Sequence, residues 1–197
     1  MANKIKYGLS KVYYAVATIA TDGSATFGTP VAIPGAVSLS MEPQGDNTTF
    51  YADNIAYWVG NGATGYQGDL EVALIPESFK TDVLGFTADA NGVLVEDLNS
   101  EIGHFALLFQ FEGDEKATRH VLYNCTCTRP AAAGQTKGES VEPQTETITI
   151  TATSVYFASL GKDVPKASTA AGTDTTEYNG WFTDVYVPTT ATTTPTT

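Results

Sequence analysis

Residues 144–160, QTETITITATSVYFASL, alternate threonine with aliphatic residues so regularly that only an extended strand accommodates them. Side chains leave a strand with a period of two, so Ile148, Ile150, Ala152, Tyr156 and Leu160 fall on one face. Thr145, Thr147, Thr149, Thr151 and Thr153 fall on the other. Fully extended, the stretch would span roughly 55 Å at about 3.3 Å per residue. A compact domain of this length has a radius of gyration of only about 16 Å. Either the strand is of ordinary length with a bulged or frayed end, or it continues a sheet between copies of the chain.

The same period recurs along the chain. Residues 11–19 and 25–33 read as strands around the turn pair Asp22-Gly23, with Pro30 and Pro34 confining the second to an edge or to short pieces. Val37, Leu39 and Met41 alternate with small polar residues in a third. Residues 42–66 break the rhythm: Gly, Asn and Asp are interleaved with Phe50, Tyr51, Tyr57, Trp58 and Tyr66, in a stretch too long for an ordinary connection. It is expected to be an extended loop, folded over this subunit's own sheet or packed as an arm on a neighbour. Leu70, Val72 and Leu74 then alternate with Asp69 and Glu71, a strand with one acidic face. A short helix is predicted over 76–84. Pro76 stands at its first turn, Glu77 near the positive end of its dipole, Phe79 and Val83 on one side, and Gly85 after its end. Asn91-Gly92 marks a hairpin turn. HFALLFQF and ATRHVLYNCTCT flank the turn EGDEK as another hairpin, with Phe105, Leu107, Phe109 and Phe111 expected on one core face. Val121, Tyr123, Cys125 and Cys127 are expected on one face of its partner. The terminal PTTATTTPTT is low in complexity and is read as disordered.

Chemistry is hard to find in this pattern. The formal charge is −12 and only 16% of the 197 residues are charged. Holding nucleic acid tightly needs clustered Lys and Arg, and here they are scattered. The N-terminus has no apolar run long enough for a signal-peptide core or a membrane span, so a product that stays where it is made is expected, with no membrane partner. Cys125 and Cys127 stand two apart, a spacing suited to buried apolar packing rather than to a relaxed disulfide. His104 and His120 lie on strands expected to pair, without a metal or catalytic motif. Residues 89–101 imitate a calcium loop, but Val93 stands where an oxygen ligand belongs and Leu94 where the turn glycine belongs. There is no Walker loop, dinucleotide fingerprint or serine elbow. No enzyme, cofactor or metal site is expected. Sheet edges and unsupported aromatic residues are liabilities unless they serve assembly.

FYADN, GYQGDLEVALIPESFKTDVLG, NGVLVED, FALLFQFEGDEKATRHVLYNCTCTRP and VEPQTETITITAT together resemble the major tail (tail tube) proteins of long-tailed bacteriophages of Gram-positive hosts, in order from about residue 4 to residue 157. Little beyond Lys162 contributes. The resemblance implies a mainly β fold of two packed antiparallel sheets, a β-sandwich or barrel, with one short flanking helix and a long loop arm at 42–66. It implies a tail-tube domain over 1–160 and a C-terminal extension over 161–197, the last ten residues or so disordered. The implied function is structural: a virion component, made in the host cytoplasm, forming stacked hexameric rings around a lumen through which DNA passes without specific binding. Implied partners are the chain itself, a tape measure protein, and tail terminator and tip proteins. Within that frame Asp69, Glu71 and Glu146 are candidates to line the lumen. Phe50, Tyr51, Tyr57, Trp58 and Tyr66 are candidates for the inter-subunit arm, and Thr147, Thr149 and Thr151 for a strand continued between subunits. The alternatives are an adhesion module on a virion or cell surface and a related secretion-type ring protein.

Overall fold

A computed structural model describes residues 3–60, 62–138, 140 and 142–190. The first half of the chain forms β1 (Lys6–Ile19), β2 (Ala25–Phe27), β3 (Val31–Ala32), β4 (Ala36–Gln44), β5 (Thr48–Ala52), β6 (Ile55–Gly60), β7 (Gly65–Val72) and helix α1 (Glu77–Asp82). The second forms β8 (Thr87–Ala88), β9 (Leu94–Val95), β10 (His104–Gly113), β11 (Thr118–Cys127), β12 (Glu146–Thr153), β13 (Val155–Phe157), β14 (Lys162–Val164), β15 (Lys166–Ser168) and helix α2 (Thr175–Gly180). No described helix is long and apolar enough to cross a membrane.

Nine strands make one sheet in the order β2-β1-β10-β11-β12-β7-β4, with β3 on β1 and β15 on β11, and every pairing is antiparallel. The remaining strands form the two-stranded pairs β5-β6, β8-β9 and β13-β14. What turns the large sheet into a barrel is the short run from Val31 to Gln44. Its first part sets Ala32 opposite Tyr13 of β1, and its second sets Leu39 opposite Leu70 of β7. The run thus ties the two ends of the sheet together at the level of β3, while β4 itself pairs only with β7 among the described strands. The kink between the parts needs Gly35, whose φ is +77° and where a Cβ would meet the Cβ of Ala73 at 2.9 Å.

Inward-facing residues of every wall strand fill the barrel: Tyr14, Leu70, Phe105, Leu107, Leu122, Ile148 and Ile150 are almost fully buried. α1 supplies a plug at one end. Phe79 stands edge-on to both Tyr14 and Phe105, with ring centroids 5.0 and 5.4 Å away. The Tyr14 hydroxyl donates to Asp82 at 2.8 Å. The helix is shorter than the predicted 76–84: Pro76 is its N-cap and Val83 its C-cap.

Three expectations are corrected. Residues 144–160 are not one strand. Val155 and Phe157 are buried whereas Tyr156 is exposed, so the apolar phase after Ser154 is opposite to that of Ile148, Ile150 and Ala152, and the chain breaks there to pair β13 with β14. The overlong strand is two ordinary ones.

The second correction concerns β11. Phe105 and Leu107 of β10 lie opposite Cys125 and Leu122, so the one residue between them, Ala106, faces two, Tyr123 and Asn124, across a β-bulge. Cys125 and Cys127 therefore face the barrel interior while Val121 and Tyr123 face out, instead of sharing a face.

Third, residues 42–66 are not a loop. They hold the end of β4, a β5-β6 hairpin and the start of β7, because Asp53 and Asn54 supply a tight turn that propensity at the flanks does not reveal.

The outward side of β1, β10 and β11 carries a second apolar cluster of Ala15, Ala106, Leu108, Val121 and Tyr123, covered by Val155, Phe157, Trp181 and Val185. A second helix, absent from the sequence expectation, belongs to this cover. Asp174 caps it by accepting from the Thr176 amide at 2.8 Å. Arg119, nearly buried, holds it down: its guanidinium lies 3.8 Å from the Tyr178 ring centroid, donates to the Tyr178 carbonyl and donates to Gln110 Oε1 at 2.9 Å. The predicted disorder of the last ten or so residues falls largely on 191–197, which lie outside the described residues.

Candidate assembly surfaces

The β5-β6 hairpin projects from the barrel between Gln44 and Gly65. Its ladder runs from Thr48 opposite Gly60 through Phe50 opposite Trp58 to Ala52 opposite Ile55. Asp53 and Asn54 close it with φ values of +51° and +62°, both in the left-handed region, which is the mark of a type I′ turn. That turn matches the right-handed twist of its strands, and short polar Asp and Asn tolerate its geometry. Along the ladder Phe50, Tyr51, Ile55, Tyr57, Trp58 and Val59 are each more than half exposed. A lone two-stranded hairpin is marginal in water, and one coated with large apolar side chains calls for a surface to cover. Tyr66, grouped with these aromatics by sequence, is instead half-buried at the start of β7, packed against the barrel core beneath the Lys166 ammonium.

A second surface is polar. On β4, β7 and β12 the outward residues align in rows: Ser38, Glu71 and Thr147 in one, Ser40, Asp69 and Thr149 in the next, and Glu42, Gln67 and Thr151 in a third. Thr149 donates to Asp69 at 2.7 Å, and Glu71 accepts from Thr145 at 2.6 Å and from Ser38 at 2.9 Å. The hydroxyls of Thr145 and Ser38 hold the Glu71 carboxyl below the usual carboxylate range, so it stays charged. The polar face continues onto β11 and β10, where Asn124 Nδ2 donates to the Thr153 hydroxyl at 2.9 Å and Asn124 Oδ1 lies 2.7 Å from His104 Nδ1. Glu146 does not join Asp69 and Glu71. It has the opposite strand parity, and its carboxylate accepts from the Ile75 amide at 2.6 Å ahead of α1.

Between Ile150 and Ala152, β12 has β11 on one side and β7 on the other, so the backbone edge at Thr151 is already paired within the chain. The β11 ladder ends there, with one further bond from the Thr128 amide to the Thr149 carbonyl at 3.0 Å, and Thr147 lies beyond it.

His104 and His120 are not brought together. His120 lies opposite Phe109, so about 16 Å of β10 separates them. Asp89 closes the Asn91-Gly92 turn by accepting from the Asn91 and Val93 amides, each at 2.8 Å. Burial pushes the Cys127 thiol up to about 12 and the Cys125 thiol up as well. Among the described residues no group of three His, Cys, Asp or Glu could hold a metal ion.

No curated protein matches the chain. Among solved structures, one similar chain is described as "Cryo-EM structure of the anti-feeding prophage cap (AFP tube terminating cap)". It has 12% sequence identity and a TM-score of 0.45, over 85% of this chain and 94% of that one. The family model described as "Phage tail tube protein" matches residues 2–194. A match over so much of the sequence, on a barrel that buries its core and leaves an aromatic hairpin bare, means that the chain belongs to the phage tail tube proteins and is a structural subunit of the virion tail.

Proposed function

We propose that this tail tube subunit forms hexameric rings that stack into a tube, with the hairpin as the arm between copies and the polar strand face as the wall of the DNA channel. The observation that carries the reading is the bare hairpin: Phe50, Tyr51, Tyr57 and Trp58 project from a subunit whose own buried core includes none of them. Burying such side chains against a neighbour contributes roughly 1.5–3 kcal/mol each before ordering costs. Asp69 and Glu71 line the wall in this reading. Thr147, Thr149 and Thr151 join it through their hydroxyls, whereas Glu146 serves the start of α1. A basic wall would gain counterion-release free energy from each phosphate it met and would hold the genome. Carboxylates and hydroxyls do not, and with a Debye length of about 8 Å at physiological salt the repulsion acts only near the surface. Tape measure, terminator and tip proteins are the further partners of such a tube.

Negative-stain electron microscopy of concentrated or seeded protein tests this. Rings with six-fold averages and tubes are expected from the intact chain. A variant lacking residues 46–64 should keep its melting temperature and stay unassembled. Unchanged polymerisation by that variant would remove the hairpin from the assembly.

A further inference from the structure

The barrel is plugged by α1 at the Phe105 end and left unfinished at the other. About 20 Å along β10, where Phe111 stands, a cavity of about 450 Å³ opens between β4 and β7 on one side and β10 and β11 on the other. Leu39, Met41, Tyr66 and Phe111 line it, only partly buried and continuous with the core. His120 forms part of its wall, stacked on Phe109 with centroids 5.1 Å apart. Two lysines stand at its rim. Lys6 Nζ lies 4.7 Å from the Phe111 ring centroid and Lys166 Nζ 4.9 Å from that of Tyr66. Neither makes an ion pair among the described residues, and no Asp or Glu lines the cavity.

The hairpin is the complement of this opening. Residues 46–60 contain Phe50, Tyr51, Tyr57 and Trp58, two acidic residues, Asp46 and Asp53, and no Lys or Arg. Asp53 sits at the tip. The chain's own hairpin leaves these side chains exposed and the cavity open. Resting on the reading that subunits assemble through the hairpin, we propose that the lysine-rimmed mouth of the barrel receives the aromatic, acidic hairpin of an adjacent copy. The apolar wall takes up the rings, and Lys6 and Lys166 face the Asp53 end. Each subunit thereby finishes the core of the next.

Two singly substituted chains test the docking. Cys125 and Cys127 are buried with raised thiol pKa values, so an added cysteine reacts against a quiet background. Tyr57→Cys and Thr118→Cys chains are mixed, assembled, inspected by electron microscopy and treated with a short bis-maleimide. Dimers are expected from the mixture and not from either chain alone. In parallel, Lys166→Glu should raise the concentration needed for tube growth roughly tenfold, and Asp53→Lys in the same chain should restore it. Tubes without cross-linked dimers, or with growth indifferent to both charge changes, overturn the docking and leave the tube assignment standing. A link within one unassembled chain carrying both cysteines overturns it too, since the hairpin would then fill its own barrel. Absence of rings and tubes from the unsubstituted protein overturns the tube reading and the docking together.

Discussion

Thr149 donates its hydroxyl to Asp69 at 2.7 Å across the β12-β7 pair, and four residues earlier on the chain Thr145 does the same for Glu71 at 2.6 Å. The acidic side chains on this face are thus held by neutral donors and not by cations, which keeps their charge unneutralised at the surface. Replacing both Asp69 and Glu71 with lysine should preserve the fold and assembly, since exposed substitutions of this kind stay within about 0.5 kcal/mol. DNA ejection should be impaired. Ejection kinetics from particles carrying both changes provide the measurement, and wild-type rates would take these residues out of the channel wall.

The two faces of β12 should differ sharply in their sensitivity. Ile148 is fully buried in the barrel, so Ile148→Val should cost about 1 kcal/mol, and Phe79→Ala, which removes the plug, about 3–5 kcal/mol. Thr147→Ser, on the exposed face, should change the denaturation midpoint by less than about 0.5 kcal/mol. Urea unfolding of the three variants decides it.

Asn54 holds a φ of +62° at the hairpin turn, so Asn54→Gly should be tolerated and Asn54→Val should strain the turn by about 1–3 kcal/mol. Since the hairpin contributes nothing to the barrel core, the strain is expected to appear in tube growth and in amide exchange over residues 48–60, with the global melting temperature unchanged. A fall in melting temperature for Asn54→Val would mean that the hairpin is coupled to the core.

Acid should weaken the subunit through His120. Desolvation, helped by Lys166 and Lys6, lowers its pKa from 6.5 to about 4. The unfolded chain takes up this proton near pH 6.5 and the folded one only near pH 4. Stability is therefore lost as pH falls between those values and is unaffected above them. Melting temperatures measured from pH 7 to pH 4 should fall less for His120→Leu than for the unsubstituted protein. Parallel curves would show that His120 titrates freely in the folded state.

The alternation of threonine with isoleucine in residues 146–152, and of Leu70 and Val72 with Asp69 and Glu71 in β7, made the barrel walls legible, because a half-buried strand imposes its period directly on composition. Three features escaped that signal. The bulge opposite Ala106 inserts one residue without changing the local apolar content, so Tyr123 and Cys125 share a sequence parity but not a face. The break at Ser154 shows only as a one-residue phase change. The Asp53-Asn54 turn lacks the glycine that usually announces a tight hairpin. Of the residues singled out for the lumen, Asp69 and Glu71 stand together on the outward face, whereas Glu146, grouped with them by its charge, shares the parity of the buried Ile148 and stands apart. Tyr66 was misgrouped because composition reports that a ring is present and not which element carries it.

The partner change along β11 has a consequence for synthesis. Its C-terminal half pairs with β12, whereas His120, Val121 and Leu122 pair with Ser168, Ala167 and Lys166, and Trp181 then roofs the same strand. A nascent chain that has already emerged through β12 still presents Leu108, Val121 and Tyr123 as a bare greasy flank, sealed only after roughly thirty more residues leave the ribosome. Translation speed over that final stretch sets how long each newborn subunit stays sticky.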